Sequence, residues 1–209
     1  QLGSLGVEIA GADMSDVFHT GTGRFGWLKM RPMSLWESEE SSGDVSLKSL
    51  FDDSDIAGIA KVDFEGVAFA ACRGGWPLAV GMDKDIALDQ AFDYLDAVEQ
   101  RDIQMADGVM RNPSRVHRLL RSYARHQGAQ ANYGTIGADL KANEGDSIDN
   151  DTIASYINAL KRIFVVEDVA AWNPNLRSKT AIRTSDTRYF TDPSIATAAL
   201  GMGPSDLVY

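Results

Sequence analysis

The feature that most constrains the fold is a stripe of apolar residues in the second half of the chain. Its four members stand at i, i+4, i+7 and i+11, the spacing that lines one face of an α-helix: Ile153, Ile157, Leu160 and Phe164. Asp149 or Asn150 is the predicted cap of this helix. The β-branched run Val165 to Val169 follows as a predicted strand. A helix with one buried face that leads straight into a strand requires a core around it.

The elements around this stripe are delimited by capping and terminating residues. Asn112-Pro113 is a cap followed by a first-turn proline, and the helical run after it ends at Gly128. A short helix is predicted from Tyr133 to Ala142, with Ile136 and Leu140 facing inward. Helix, short helix and amphipathic helix are the first part of a helix-turn-helix domain.

The elements after the stripe complete that order. A polar loop from Ala170 to Thr187 joins the predicted strand to a second short strand at Tyr189-Phe190. Asp192-Pro193 then caps a last helix, which ends at Gly201. We therefore expect a winged helix-turn-helix in which the loop is the wing.

The first half is predicted to be mostly helical. A strand is expected at Phe25 to Met30, and the three predicted helices are Ser46 to Phe51, Phe64 to Cys72 and Asp85 to Gln100. The expected fold is therefore mostly α with small β (α+β), a helical lid-like region followed by a winged helix-turn-helix.

The charge is distributed unevenly along the chain. Residues 1–100 hold 7 Lys and Arg against 18 Asp and Glu, whereas residues 101–209 hold 13 against 12. This asymmetry predicts a boundary near residue 100. We expect a remnant of an ATPase core in residues 1–45, a lid-like region in 46–100 and a winged-helix domain in 101–209.

Several kinds of chemistry are absent from the sequence. The phosphate-loop pattern Gly-x4-Gly-Lys-Ser/Thr does not occur, so no hydrolysis of a nucleoside triphosphate by this chain alone is expected. No catalytic residue and no metal ligand is predicted, because His19, His117 and His126 lack metal-ligand spacing and Cys72 has no thiol partner. A single cysteine and the lack of a long apolar run predict a cytoplasmic protein without a membrane contact.

A basic run interrupts the acidic composition. No acidic residue lies between Asp107 and Asp139, and five arginines fall in that window: Arg111, Arg115, Arg118, Arg121 and Arg125. Two interpretations stay open. Either these side chains meet an anionic partner, or they form an exposed helix face that pairs with the acidic first half.

Several short strings resemble one known family. Gly21 to Phe25 and Met30 to Glu37 resemble the end of the ATPase core in a family of prokaryotic AAA+-like ATPases that carry a C-terminal domain of unknown function. Arg73-Gly-Gly-Trp-Pro is similar to the motif of that family's helical lid. Its winged-helix part is similar to three further strings: Tyr156 to Phe164, Ala171 to Lys179 and Asp192 to Ser194.

The resemblance implies a longer parent protein that holds both nucleotide motifs upstream of this chain. It implies ATP and magnesium as cofactors of that parent, and none for the chain by itself. Arg24 and Arg73 match arginines that contact the triphosphate in AAA+-type machines. The alternative for each is a salt bridge within the fold.

The winged helix has its own candidate contacts. The faces of the stripe helix outside the stripe, together with the wing, carry hydrogen-bonding and cationic residues that suit DNA: Thr152, Ser155, Asn158, Lys161, Arg162, Arg177, Lys179 and Arg183. Three partners stay open: DNA, a protein (including a second copy of the chain) and the missing ATPase core. A stand-alone winged-helix module for DNA or protein, without an ATPase role, is the alternative function.

Overall fold

The computed structural model describes residues 28–52, 56–170 and 185–209. These residues are mostly helical, as expected. Among them, no helix is long and apolar enough to cross a membrane. Arg24 and the wing residues Arg177, Lys179 and Arg183 lie outside the described residues. So does the first part of the predicted strand at Phe25 to Met30, and its described residues form no strand.

The first half holds three helices among its described residues. They are α1 (Leu47–Phe51), α2 (Phe64–Arg73) and α3 (Lys84–Ala97). The side chain of Ser46 accepts a hydrogen bond from the Ser49 amide and so caps α1, as predicted. Asp63 caps α2 in the same way, and Gly74 ends it.

The predicted third helix continues beyond its expected end. After α3 the chain forms a π-helix at Val98–Asp102 and then α4 at Ile103–Met105, without a break. The predicted boundary at residue 100 therefore lies inside a helical run. Leu95 and Val98 before the boundary and Ile103 after it belong to the same hydrophobic cluster.

The second half follows the predicted order. The helices are α5 (Pro113–Arg125), α6 (Tyr133–Asp139) with a second π-helix (Leu140–Glu144), α7 (Asn150–Arg162), α8 (Pro193–Leu200) and α9 (Pro204–Val208). The side chains of Asn112, Asn132 and Asp149 cap α5, α6 and α7. The last short helix, α9, was not predicted from the sequence.

The β structure consists of isolated antiparallel bridges rather than full strands. Val166 pairs with Phe190, and Val169 pairs with Thr187, so the two flanks of the 170–187 loop lie side by side. Thr187 also pairs with Gln130, between α5 and α6, which the sequence did not indicate. The chain segment around Thr187 is therefore the middle one of three.

One hydrophobic core runs from α3 to α8. The described side chains that are fully buried in it come mainly from α5, α6 and α7, and include Leu119, Leu120, Ile136, Ile153 and Ile157. The helix α8 packs against α2, α3 and α5. It thereby ties the first half of the described chain to the second.

Burial of the apolar stripe of α7 was predicted correctly for three of its four residues. Ile153, Ile157 and Leu160 are fully buried, but Phe164 is 42% exposed. The helix has already ended there, and Phe164 adopts a left-handed conformation with φ of 58°. The Val165 amide reaches back to the Leu160 carbonyl over 2.9 Å, which closes the helix in a Schellman turn. Phe164 therefore points away from the core.

Candidate functional site

Two consecutive glycines form a tight turn where α2 ends. Gly74 has φ of +75°, a conformation that favours glycine, and a Cβ there would collide with the side chains of Asp192 and Ser194. A Cβ on Gly75 would collide with the backbone of Met33, whose amide donates to the Gly75 carbonyl over 2.8 Å. Both positions therefore require glycine for close approach of other chain segments.

The start of α8 reaches this turn from the far end of the chain. The Gly75 amide donates to the Asp192 carboxylate over 2.8 Å, and Trp76 Nε1 donates to Ser194 Oγ over 2.9 Å. Asp192 also accepts from the Ser194 amide and hydroxyl, which caps α8. Asp192 and Ser194 are both buried, so the hydrogen bonds that Asp192 accepts from Gly75 and Ser194 are shielded from water, whereas the bond from Trp76 is partly buried.

Three of the strings that carry the family resemblance thus meet at one place. Met33, Gly75 and Asp192 belong to separate strings, and the hydrogen bonds above join them directly. We call this place the three-string junction and define it by Met33, Gly74, Gly75, Asp192 and Ser194. The three strings were identified in the sequence, but nothing in the sequence indicated that they contact one another.

Arg73 lies beside the junction with its side chain turned inward. Its guanidinium donates to both carboxylate oxygens of Glu40, over 2.7 and 2.8 Å, and to the Gly74 carbonyl over 3.0 Å. The side chain is only 7% exposed, so in this arrangement the guanidinium is not presented to solvent. The hydrogen bonds from Arg73 lower the pKa of Glu40, despite the opposing effect of partial burial. The predicted alternative, a salt bridge within the fold, is the observed arrangement.

The outer face of α7 brings some of the predicted DNA contacts together. Ser155, Asn158 and Arg162 are exposed on it. Arg162 makes no ion pair among the described residues, whereas Ser155 Oγ accepts a hydrogen bond from Arg111 over 3.3 Å. The hydroxyl of Thr152 is used by the cap, since it donates to Asp149 over 2.8 Å.

Lys161, whose side chain is partly exposed, forms an ion pair within the fold. Its ammonium pairs with Asp168 over 2.6 Å. The same carboxylate, which is 3% exposed, also accepts from the Arg188 guanidinium and the Tyr123 hydroxyl. Burial and the hydrogen bond to Asp168 raise the pKa of Tyr123 well above its usual range. We call these four residues the Asp168 network.

The Asp168 network holds the base of the loop between residues 170 and 185. Asp168 and Arg188 lie on the two paired flanks, and Arg188 Nε donates to the Ala131 carbonyl over 2.7 Å. The sequence signal that could have revealed it is an acidic residue inside the β-branched run Val165 to Val169. A charge at a position that is otherwise apolar requires a partner.

Within the described residues, the arginines of α5 pair with acids from the second half of the chain. Arg115 and Arg118 share Asp146, and Arg121 and Arg125 share Glu144. Arg125 also binds Asp139 over 2.6 Å. Pairing with the acidic first half was one of the two interpretations left open, and the described residues of that half contribute no acid to the arginines of α5. The acidic partners come from the segment 139–146, which follows the basic window directly.

Arg111 and His117 do not share the acidic partners of the α5 arginines described above. Arg111 is buried and binds Asp107 through two hydrogen bonds of 2.7 Å. His117 contacts the buried Glu99 over 2.9 Å, and burial raises the pKa of that carboxyl despite the histidine. Within the described residues there is no group of three or more His, Cys, Asp or Glu that could hold a metal ion.

The structure thus defines a helical protein in which a glycine turn, a segment near residue 33 and the start of α8 form a buried polar junction. The chain belongs to the family of the domain of unknown function DUF8612, whose model matches residues 65–206. The match covers α2 almost completely, both glycines of the junction, Asp192 and the Asp168 network. No curated protein and no solved structure matches the chain.

Proposed function

We propose that this chain is the lid and winged-helix part of an AAA+-like ATPase, in which α8 transmits movement of the lid to the winged helix. The observation that carries the proposal is the three-string junction. Strings that resemble the core, the lid and the winged helix of that family are joined by hydrogen bonds of 2.8 to 2.9 Å, of which the one between Gly75 and Asp192 is buried. Because buried polar groups are costly to unpair, we expect the three segments to move as one body.

The order of elements in the second half supports the winged-helix assignment. A winged helix needs a first helix, a short strand, two further helices and a hairpin whose inner strand pairs with the first strand. The chain supplies α5, the bridge at Gln130, α6, α7 and the paired flanks of the 170–187 loop. Thr187 pairs with both Gln130 and Val169, as the inner strand of such a hairpin would.

The proposed nucleotide contact of Arg73 requires that Glu40 release it. A carboxylate and a phosphate both accept two parallel hydrogen bonds from a guanidinium, so one can replace the other. In the present arrangement Glu40 fills that role, and the Ser38 hydroxyl holds it through a 2.6 Å hydrogen bond. A triphosphate in the parent protein would compete with Glu40 for Arg73. Arg24 remains a second candidate contact.

The test is ATP hydrolysis by the parent protein. Arg73→Ala is expected to lower kcat by roughly 10²- to 10³-fold, the loss typical for one donor to a developing charge. Arg101→Ala is the control, because that side chain is 74% exposed and pairs only with its neighbour Asp102 among the described residues. Arg73→Lys separates a contact with the nucleotide from a structural role. It keeps the positive charge that pairs with Glu40 but loses the two parallel hydrogen bonds of the guanidinium.

The outcomes distinguish nucleotide contact from structure. If Arg73→Lys has the same melting temperature as the wild type but a lower kcat for ATP, the proposed contact between Arg73 and the nucleotide is supported. If Arg73→Ala and Arg73→Lys leave kcat unchanged, or lose activity only in proportion to lost fold, Arg73 is structural. The isolated chain is expected to give no heat when ATP is added in a calorimeter, because it lacks a phosphate loop. Micromolar affinity would contradict the proposal.

A second candidate function is DNA binding, and the exposed side chains of α7 favour it. Asn158 and Arg162 lie on the face that a recognition helix presents to the major groove. Two observations weaken it: Lys161 is paired with Asp168, and Asp149 and Asp151 stand at the start of the helix. We therefore expect weak, non-specific binding with a Kd of roughly 10⁻⁴ to 10⁻⁶ M at physiological salt.

Fluorescence anisotropy with labelled duplex DNA over a range of salt concentrations tests this function. Changing Arg177, Lys179 and Arg183 together to Ala should reduce the slope of log K against log salt by a little under three, at about 0.9 per phosphate contact. The matched control changes Lys48, Lys61 and Lys84 together to Ala. It removes the same number of positive charges, but from the first half of the chain. Undetectable binding at low salt, or equal slopes in both triples, would leave a protein contact as the role of the winged helix.

A further inference from the structure

The short helix α1 presents its apolar residues to solvent. Leu47, Leu50 and Phe51 are 71%, 56% and 83% exposed, and α1 buries none of its residues. Within the described part of the chain, no helix packs closely against it. Exposure of three large apolar side chains on five residues is unfavourable unless another surface covers them.

The spacing of these side chains is that of a helix that inserts into a groove. Leu47, Leu50 and Phe51 stand at i, i+3 and i+4, so they lie on one face of a single turn. Helical ligands commonly anchor through side chains at this spacing. Ser46 Oγ caps the helix locally, accepting from the Ser49 amide over 3.1 Å, which favours the helical turn at these residues.

The charges beside the helix indicate what kind of groove would accept it. Asp44 precedes α1, Asp52 follows it directly, and the sequence continues with Asp53 and Asp55. Lys48 is the basic residue within the helix. Acidic residues on both sides of an apolar face complement a groove with a basic rim.

We propose that α1 is a docking helix for a partner protein that has an apolar groove with a basic rim. The segment 44–52 would place Leu47, Leu50 and Phe51 in the groove and its flanking carboxylates against the rim. A second copy of this chain is a poor occupant, because two acidic segments would face each other. This inference does not rest on the proposed ATPase relationship.

Site-directed photo-crosslinking of the full chain identifies the partner. A photoreactive phenylalanine analogue at position 51 is expected to crosslink to one protein in cells that express the chain, and the same analogue at Lys61 is the control for non-specific capture. The purified partner is then titrated with the wild-type chain. Leu50→Ser and Phe51→Ser should each weaken binding by about tenfold or more, as expected for a buried anchor side chain.

Charge variants then test the basic rim. Asp52→Lys should weaken binding and make it less sensitive to salt, whereas Lys48→Glu should strengthen it. The inference is overturned if position 51 crosslinks nothing that the control does not, if it crosslinks only to a second copy, or if the purified partner binds Leu50→Ser and Phe51→Ser as tightly as the wild type. Circular dichroism of each variant confirms that the chain is folded.

Discussion

Helices α2 and α5 use their large apolar side chains in opposite ways. In α2 the large residues Phe64 and Val67 are exposed, and the buried apolar residues are the small Ala68, Ala70 and Cys72. In α5 the large residues Val116, Leu119 and Leu120 are fully buried, together with Tyr123. The same contrast separates α1, which buries no residue, from α7, which buries five: Ile153, Tyr156, Ile157, Ala159 and Leu160.

The contrast indicates two sources of stability in one chain. The second half removes large aliphatic side chains from water, which is the dominant favourable contribution to folding. The first half buries mainly small residues. Its packing against α8 is supplemented by the hydrogen bond from Gly75 to Asp192, and the Arg73–Glu40 pair adds a directional contact within the first half. Substitutions in the two halves should therefore act through different mechanisms.

The largest effect is expected from Asp168→Ala in the second half. Removing this carboxylate would leave the 5%-exposed Arg188 without its ionic partner among the described residues, and the Tyr123 hydroxyl with only the distant Tyr189 carbonyl as acceptor. Breaking a buried pair on one side typically costs about 3–5 kcal/mol. Urea unfolding followed by circular dichroism measures the loss, and Asp151→Ala, an exposed acid on α7, is the control. A loss no greater than that of the control would mean that the Asp168 network is not structural.

A smaller effect is expected from Gly74→Ala, which tests the attachment of the first half. The left-handed backbone strains any residue with a Cβ, and this Cβ would also collide with Asp192 and Ser194. We expect a loss of about 1–3 kcal/mol. Gly81→Ala is a matched control, because Gly81 has φ of +86° and nothing within 4 Å of the added Cβ. Equal losses at both positions would show that backbone strain alone, rather than the junction, explains the effect.

Local signals in the sequence predicted the local structure well. Ser46, Asn112 and Asp149 cap helices where their side chains indicated, because a cap depends only on amides two or three residues away. Periodicity likewise identified Ile136 and Leu140, and Ile153, Ile157 and Leu160 of α7, as buried. It failed at Phe164, because the helix closes two residues earlier and the periodic pattern does not register that end.

The candidate site could not be predicted in the same way, because its contacts join distant positions. Glu40 lies 33 residues from Arg73, and Asp192 lies 117 residues from Gly75. Charge counts over long segments did not identify the acids that face α5. They left open an anionic partner or the acidic first half, whereas the observed acids follow α5 in the sequence, at Asp139, Glu144 and Asp146. Net charge describes a region as a whole and does not assign pairs.

A modest pH-dependent effect is expected from the acids that face α5. Burial alone would raise the pKa of Asp146, but hydrogen bonds from Arg118 and Arg115 outweigh it and hold the pKa below its usual value. A lowered folded-state pKa contributes stability above the unfolded value, about 3.9, and this contribution is lost as the pH falls through the folded value. Asp146→Asn should cost up to about 1 kcal/mol at pH 7, since both arginines are partly exposed.

Urea unfolding of Asp146→Asn and the wild type between pH 7 and pH 2 measures this effect. The difference between the two proteins should shrink toward zero as the pH falls below about 4. A difference that stays constant over this range would show that the asparagine changes packing rather than charge. Arg118→Ala should cost less than Asp146→Asn, because Arg115 would still pair with the carboxylate.

The smallest effect is expected from Leu50→Ser and Phe51→Ser in α1. Both side chains are exposed and belong to a helix that buries no residue, so the folded chain loses no packing when they are replaced. We expect the free energy of unfolding to change by less than about 0.5 kcal/mol, the usual range for surface substitutions. Thermal unfolding of the two variants beside Leu120→Ala, which should lose about 2–5 kcal/mol, gives the comparison in one experiment.

If either α1 variant lost as much as Leu120→Ala, the apolar face of α1 would be part of the core of this chain, and the contrast between the two halves would not hold. If both are as stable as the wild type, any loss of partner binding in the same proteins reflects the docking surface itself, because the fold is unchanged.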